Sequence, residues 1–243
     1  MDKELLLKGV EEITKWTKIL EDNIREEKSV YDYVNTGKPL LDIPFAIQSR
    51  VRIQTQGKYD KLYPEGAVVH FNAGHSMNGD KAAVNCIDYL ASKKYPCIII
   101  SRSGNVHQAF PLDEWGWHCG THHHEYCVGI ELLNPGKLKQ LPSGDYESWF
   151  HEMHKASEVR VVEARDDIEA GAYLPCTFEQ QQSLLRLLLW LKRNGPDIFN
   201  IANIHTHAEI CPGRKNDPGA IIDWCAAELR VKMSELYNAK AII

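Results

Sequence analysis

The sequence predicts an α/β domain whose sheet contains at least one antiparallel hairpin. Three observations carry this. Short apolar runs of strand length alternate with longer amphipathic runs of helical period. Two of the short runs, Cys97–Ser101 and Val106–Phe110, flank the turn sequence Arg102-Ser103-Gly104-Asn105, which reads as a hairpin. The chain has 243 residues, 44% hydrophobic and 25% charged, enough to bury roughly 70–75% of its unfolded surface without cross-links.

In chain order, residues 3 to about 27 carry Leu6, Val10, Ile13, Trp16, Leu20 and Ile24 at three- and four-residue steps, which predicts an amphipathic N-terminal helix. Residues 28–66 are loop-rich, with short strands expected near Ile43–Ile47 and Val51–Thr55. Ala67–Phe71 reads as a buried strand. Asp80 reads as the N-cap of a helix carrying Ala83, Val84, Ile87, Leu90 and Ala91. Val128–Leu132 is a further strand. Residues 135–177 interrupt the pattern, with a short helix expected around Tyr146–Ser157. Phe178–Arg193 is apolar nearly all round and so reads as a central, buried helix stopped by Gly195-Pro196. Ile201–His205 is a short strand and Pro218–Leu236 a closing helix. The expected division is an N-terminal helix and loop-rich extension over 1–63, packed on a domain over 64–243 that carries the insert 135–177.

Charge and cysteine usage narrow the function. Lys and Arg number 28 against 33 Asp and Glu, so no broad basic surface exists for nucleic acid. No apolar run approaches the ~20 residues of a membrane span. Seven scattered Cys without a CxxC pair read as reduced, buried thiols. Met1-Asp2-Lys3-Glu4 leads into a charged segment unlike a secretory signal. A monomer, cytoplasmic as synthesised, is expected.

Histidines mark the chemistry. His70 lies near the end of an apolar strand, where a side chain projects into a cleft at the sheet edge. Residues 205–219 compress His205, His207, Glu209, Cys211, Arg214, Lys215 and Asp217 into one loop punctuated by Pro212, Gly213, Pro218 and Gly219. A catalytic zinc site takes three protein ligands and leaves one position open, and this loop can supply two. Asp217 before Pro218 reads equally as a helix N-cap. His205 and His207 would share one face if both lay on a strand. Cys211 is a softer rival to Asp217. His122-His123-His124 reads as a solvated loop on the cleft rim, and His151-Glu152-Met153-His154 as a surface helix whose spacing is not the HExxH of common metalloproteases.

Val68-Val69-His70-Phe71-Asn72-Ala73, Ser101–Val106, Trp117-His118-Cys119-Gly120, Val128-Gly129-Ile130-Glu131-Leu132 and His207 with Pro212-Gly213-Arg214-Lys215-Asn216-Asp217-Pro218-Gly219 occur in a telling order. Over residues 64–134 and 176–230 the chain resembles the zinc-dependent N-acetylmuramoyl-L-alanine amidases of type 2. That family includes phage lysozyme-type endolysins, muropeptide-recycling amidases and peptidoglycan recognition proteins. The resemblance implies a mixed central β-sheet flanked by helices on both faces. It implies a zinc ion (Zn2+) on His70, His207 and Asp217, and Glu131 and Lys215 as the catalytic pair. His118, Trp117 and Asn72 are expected to contact substrate, with Trp115 beside them. The implied reaction is hydrolysis of the amide between the lactyl group of N-acetylmuramic acid and L-alanine, in peptidoglycan or muropeptides, for cell-wall degradation. The rival readings are a non-catalytic peptidoglycan-binding module and a zinc peptidase acting within the stem peptide. The chain departs from the family where Lys94–Cys97 replaces a frequent His, where His124–Cys127 replaces an Asn-x-x-Ser stretch, and where Thr206 replaces a Gly. The insert 135–177 is expected to fold beside the metal cleft and to narrow substrate choice.

Overall fold

The computed structural model describes residues 14, 17, 21, 24–28, 31–33, 35–75 and 79–240. Its strands begin with β1 (Ile47–Gln48), β2 (Gly57–Lys58), β3 (Gly66–Phe71), β4 (Cys97–Ile100), β5 (Val106–Gln108), β6 (Glu114–Trp115) and β7 (Cys127–Leu132). Then come β8 (Lys137–Gln140), β9 (Tyr146–Glu147), β10 (Met153–His154), β11 (Arg160–Val162), β12 (Gly171–Tyr173) and β13 (Ile204–Thr206). The main helices are α1 (Gly79–Lys93), α2 (Phe178–Asn194) and α3 (Ala226–Asn238).

Six strands form the central sheet in the order β1-β5-β4-β7-β3-β13. It is mixed: β13, β3, β7 and β4 run parallel, and β5 turns back antiparallel on β4. Side chains alternate between its faces. Val69, Ile98, Ile100, Ile130 and Leu132 pack against α2 and α3 on one face. Cys97 and Ile99 meet Ala83, Cys86, Ile87 and Leu90 of α1 on the other. Helices therefore cover both faces, as expected.

Helix α2 runs through the core. Six of its leucines are buried, each contributing roughly 1.5–3 kcal/mol, so packing rather than helix propensity holds it in place. Thr177 caps it, accepting from Gln180 N, and the buried Gln180 amide donates to the carbonyls of Ile100 and Leu133. The chain before Gly66 is tied to this helix. Glu26 pairs with Arg186, and Asn194 exchanges two hydrogen bonds with the backbone of Leu40.

Several local expectations are corrected. Most of the N-terminal helix lies outside the described residues. The described part is helical beyond 28 to residue 36, where Gly37, at φ +65°, ends it by donating to Tyr33 O. Residues 51–55 form no strand. Asp80 is no N-cap: it sits inside the first turn of α1 and accepts from Ser101, Ser103 and Asn105, pinning the 101–105 turn. Residues 201–203 make a 3₁₀ turn, and the strand is Ile204–Thr206. The closing helix starts at Ala226 with Cys225 as its cap, so Asp217 is not its N-cap.

The expected helix around Tyr146–Ser157 is absent. The insert is instead a five-stranded antiparallel sheet, β10-β9-β8-β12-β11, with its own small core of Leu138, Tyr146, Ala172 and Leu174. Ile168 and Tyr173 enter the main core, and Asp167 accepts from Thr206 Oγ1 and Ala226 N. Among the described residues no helix is long and apolar enough to cross a membrane.

Candidate metal and catalytic site

Strand parity builds the first half of the site. β3 and β7 are parallel with His70 opposite Glu131, and both point to the α1 face, opposite Val69 and Ile130. The second half comes from the end of β13. Thr206 caps a single helical turn, His207–Ile210, by accepting from Glu209 N. That turn breaks the strand between His205 and His207, so the two do not share a face. His205 instead pairs with Glu209 and packs on His123. The loop then returns Asp217 beside His207, with Ala208 N donating to Asp217 O at 2.8 Å.

His70, His207 and Asp217 are all buried, and one ligand atom from each lies within 4.8 Å of the others. His70 Nδ1 and His207 Nδ1 are 2.9 Å apart, and they lie 2.9 and 2.8 Å from the same oxygen, Asp217 Oδ2. The protons can be placed. A carbonyl only accepts, so His118 Nε2 donates to Cys127 O at 3.0 Å, and its Nδ1 is left as an acceptor. His70 Nε2 then donates to that Nδ1 at 3.1 Å. His207 Nε2 donates to Cys119 O at 2.9 Å. Both Nδ1 atoms of the neutral rings therefore aim lone pairs at a carboxylate oxygen. Three lone pairs converging on one point repel unless a positive charge lies among them. Burial opposes supplying it as a proton, since it pushes the pKa of His70 down despite Asp217. Two neutral imidazoles and a carboxylate, each imidazole oriented by an outer hydrogen bond, are the donor set of a divalent zinc site.

Burial also keeps His118 neutral, pushing its pKa well down, with His70 adding to the effect. Gly129 makes room for it. A Cβ there would lie 2.6 Å from Cys97 Sγ and 2.9 Å from His118 Cγ. Glu131 is different again. Its Oε2 is buried without a partner, and its pKa is pushed up to about 8 by burial and by the charge of Asp217, against the pull of Lys215. Lys215 is exposed; its backbone N donates to Cys211 O, and its side chain makes no hydrogen bond or ion pair among the described residues.

These groups open into a cavity of about 780 Å³, lined by His70, Glu131, His118, Lys215, Asp217 and Asn72 among others. Asn72 is partly committed, since its Oδ1 accepts from Asn134 N. Trp117 is not part of the lining. Its half-exposed ring packs on Trp115 and His124 instead. His124 is buried against Trp115 rather than solvated, within the 3₁₀ turn His122–Glu125. Cys211 sits apart from the three ligand candidates, bonded to Arg214 at 2.7 Å. Sequence reasoning missed Gly129, Tyr89, Tyr95 and His75. A glycine inside a strand run was the available signal for the first.

Residues 60–220, more than half of the chain, match the family described as N-acetylmuramoyl-L-alanine amidase. The chain belongs to that family. It is 26% identical over 144 residues to the 1,6-anhydro-N-acetylmuramyl-L-alanine amidase AmpD of Escherichia coli K12, a match spanning 56% of this chain and 57% of that amidase. Among solved structures it is similar to the endolysin amidase LysCS of Clostridium intestinale, with TM-score 0.48 and 14% identity over 78% of this chain and 95% of that one. It is also similar to the E. coli amidase AmiD in complex with anhydro-N-acetylmuramic acid-L-Ala-D-γ-Glu-L-Lys, with TM-score 0.48 and 19% identity over 74% and 60%.

Proposed function

We propose that this amidase-family protein hydrolyses the amide between the lactyl group of N-acetylmuramic acid and L-alanine, using a zinc ion held by His70, His207 and Asp217, and that it degrades cell-wall material. The observation that carries the reading is the convergence of two oriented imidazole lone pairs and a carboxylate, with the buried, unpartnered Oε2 of Glu131 on the neighbouring strand. Bound there, zinc would supply Lewis acidity, polarising a carbonyl and acidifying water.

The chain's own groups supply the rest. Glu131, unpaired and high in pKa, is suited to take a proton from the attacking water and return it to the departing amine of L-alanine. Lys215, an uncommitted cation at the cavity, is placed to stabilise the oxyanion of the tetrahedral intermediate. Such a donor is worth ~10²–10³ in rate. His118 spends both ring nitrogens on His70 and Cys127, so it positions a ligand rather than binding substrate through hydrogen bonds.

The test is hydrolysis of an N-acetylmuramoyl-L-alanyl peptide, followed by the appearance of free L-alanine amino termini. Chelation should abolish it and added zinc restore it. Activity that survives removal of all metal overturns the reading.

A further inference from the structure

The insert carries aromatic rings to the cleft that no step of the chemistry uses. Its β9–β10 hairpin turns at Ser148–His151, closed by His151 N donating to Ser148 O and Ser148 N donating to Glu152 O. Trp149 and Phe150 form the apex. Trp149 is 82% exposed, yet both rings line the same cavity as Glu131 and Asp217. Exposed Tyr89, near the end of α1, and Tyr95, just beyond it, line that cavity too. A single exposed aromatic needs no explanation, but four around one cavity do.

The apex is also held. His75 Nδ1 lies 2.8 Å from Glu152 Oε1, and the His75 ring sits 4.5 Å from that of Phe150. This latch ties the hairpin to the loop that follows His70 on β3. The hairpin's place on the rim is therefore fixed by contacts that leave the Trp149 ring free.

We propose that Trp149 and Phe150, with Tyr89 and Tyr95, form a stacking subsite for a pyranose ring of the glycan strand next to the scissile muramic residue. The inference rests on the amidase reading and names its substrate class as oligomeric glycan rather than a single-sugar muropeptide. Chemistry chooses the sugar over the peptide. A pyranose ring offers a flat face of C–H groups that covers an aromatic ring, with hydroxyls at its edge for neighbours such as Asn85. A stem peptide bearing carboxylates calls instead for cations. Among the described lining residues the only Lys or Arg are Arg214 and Lys215, on the loop before Asp217 rather than on the aromatic rim.

The test uses the full chain and Trp149→Ala, with Trp149→Phe as the conservative variant. Calorimetry with a peptide-free tetrasaccharide of alternating N-acetylglucosamine and N-acetylmuramic acid reads binding apart from catalysis. Truncating Trp149 should weaken binding roughly tenfold, the loss expected for one stacked ring, and Trp149→Phe should restore most of it. Hydrolysis of the same tetrasaccharide carrying peptides should lose kcat/KM by a similar factor, while a single N-acetylmuramoyl peptide is cut at the parental rate. If Trp149→Ala binds the tetrasaccharide as tightly as the parent, or the parent does not bind it, the subsite is refuted whatever the hydrolysis shows. If a free stem peptide displaces the tetrasaccharide, the occupant is peptide and the proposal fails. Glycan binding that depends on Trp149 without hydrolysis of any substrate would retain the subsite and refute the amidase reading.

Discussion

Replacing His118 by Ala removes the acceptor that fixes the tautomer of His70. In the native site His70 Nε2–H ends on His118 Nδ1 at 3.1 Å, and His118 Nε2–H ends on Cys127 O at 3.0 Å. Without the ring, His70 is free to carry its proton on Nδ1, the atom required as a ligand. Its Nε2–H, if kept, faces a gap, and an unsatisfied buried donor costs about 1–3 kcal/mol. Loss of an outer partner to a metal-bound His typically lowers metal affinity 10–100-fold, about 1.4–2.7 kcal/mol, so the two routes agree in size. The assay is competition for zinc against a chromophoric chelator, on protein verified as folded. His118→Gln offers a carbonyl to His70 and an N–H to Cys127, and should recover most of the affinity. An Ala variant that folds and binds zinc like the parent would refute the tautomer argument, as would a Gln variant no better than Ala.

Three further outcomes follow from the same geometry. Glu131→Gln should retain zinc while losing roughly 10²–10⁴ in turnover, read by metal content beside kcat. In the metal-free protein, Glu131 binds its proton more tightly folded than unfolded, with a pKa of about 8 against 4.5. Its contribution to stability is therefore full below about pH 4.5 and falls away as pH rises through 8. Metal-free Glu131→Gln should lack that decline, and parallel Tm-versus-pH curves for the two proteins would contradict it. Gly129→Ala should destabilise the fold by ~1–3 kcal/mol in denaturant melts, because its Cβ meets Cys97 Sγ at 2.6 Å and the His118 ring at 2.9 Å.

The central strands and α2 were legible because their burial is written as unbroken apolar runs. Val68-Val69 and Ile98-Ile99-Ile100 admit few other structures. The insert was not, because its strands are two to four residues long and its separate core holds only four buried side chains. Residues Tyr146, Trp149, Phe150 and Met153 carry helical spacing, yet only Tyr146 is buried; Trp149 and Phe150 form a hairpin apex and Met153 lies exposed on β10. In the site, His70 could be read from strand position and Glu131 from the family resemblance, but their register could not, since it depends on pairing between distant strands. The hydrogen bonding of His118 was hidden for a similar reason. Its two partners are His70, 48 residues away, and a backbone carbonyl that no side-chain pattern reveals. Thr206, a departure from the family pattern, both caps the His207–Ile210 turn and donates its hydroxyl to Asp167 of the insert.

The fate of solvent oxygen tests the proposed amide hydrolysis most directly. Hydrolysis of an N-acetylmuramoyl-L-alanyl peptide in ¹⁸O-water should place one heavy oxygen in the lactyl carboxylate of the muramic fragment and leave an unlabelled peptide with a free L-alanine amine. Label in a peptide carboxylate, or an intact lactyl amide after exhaustive digestion by the zinc-loaded protein, would contradict it.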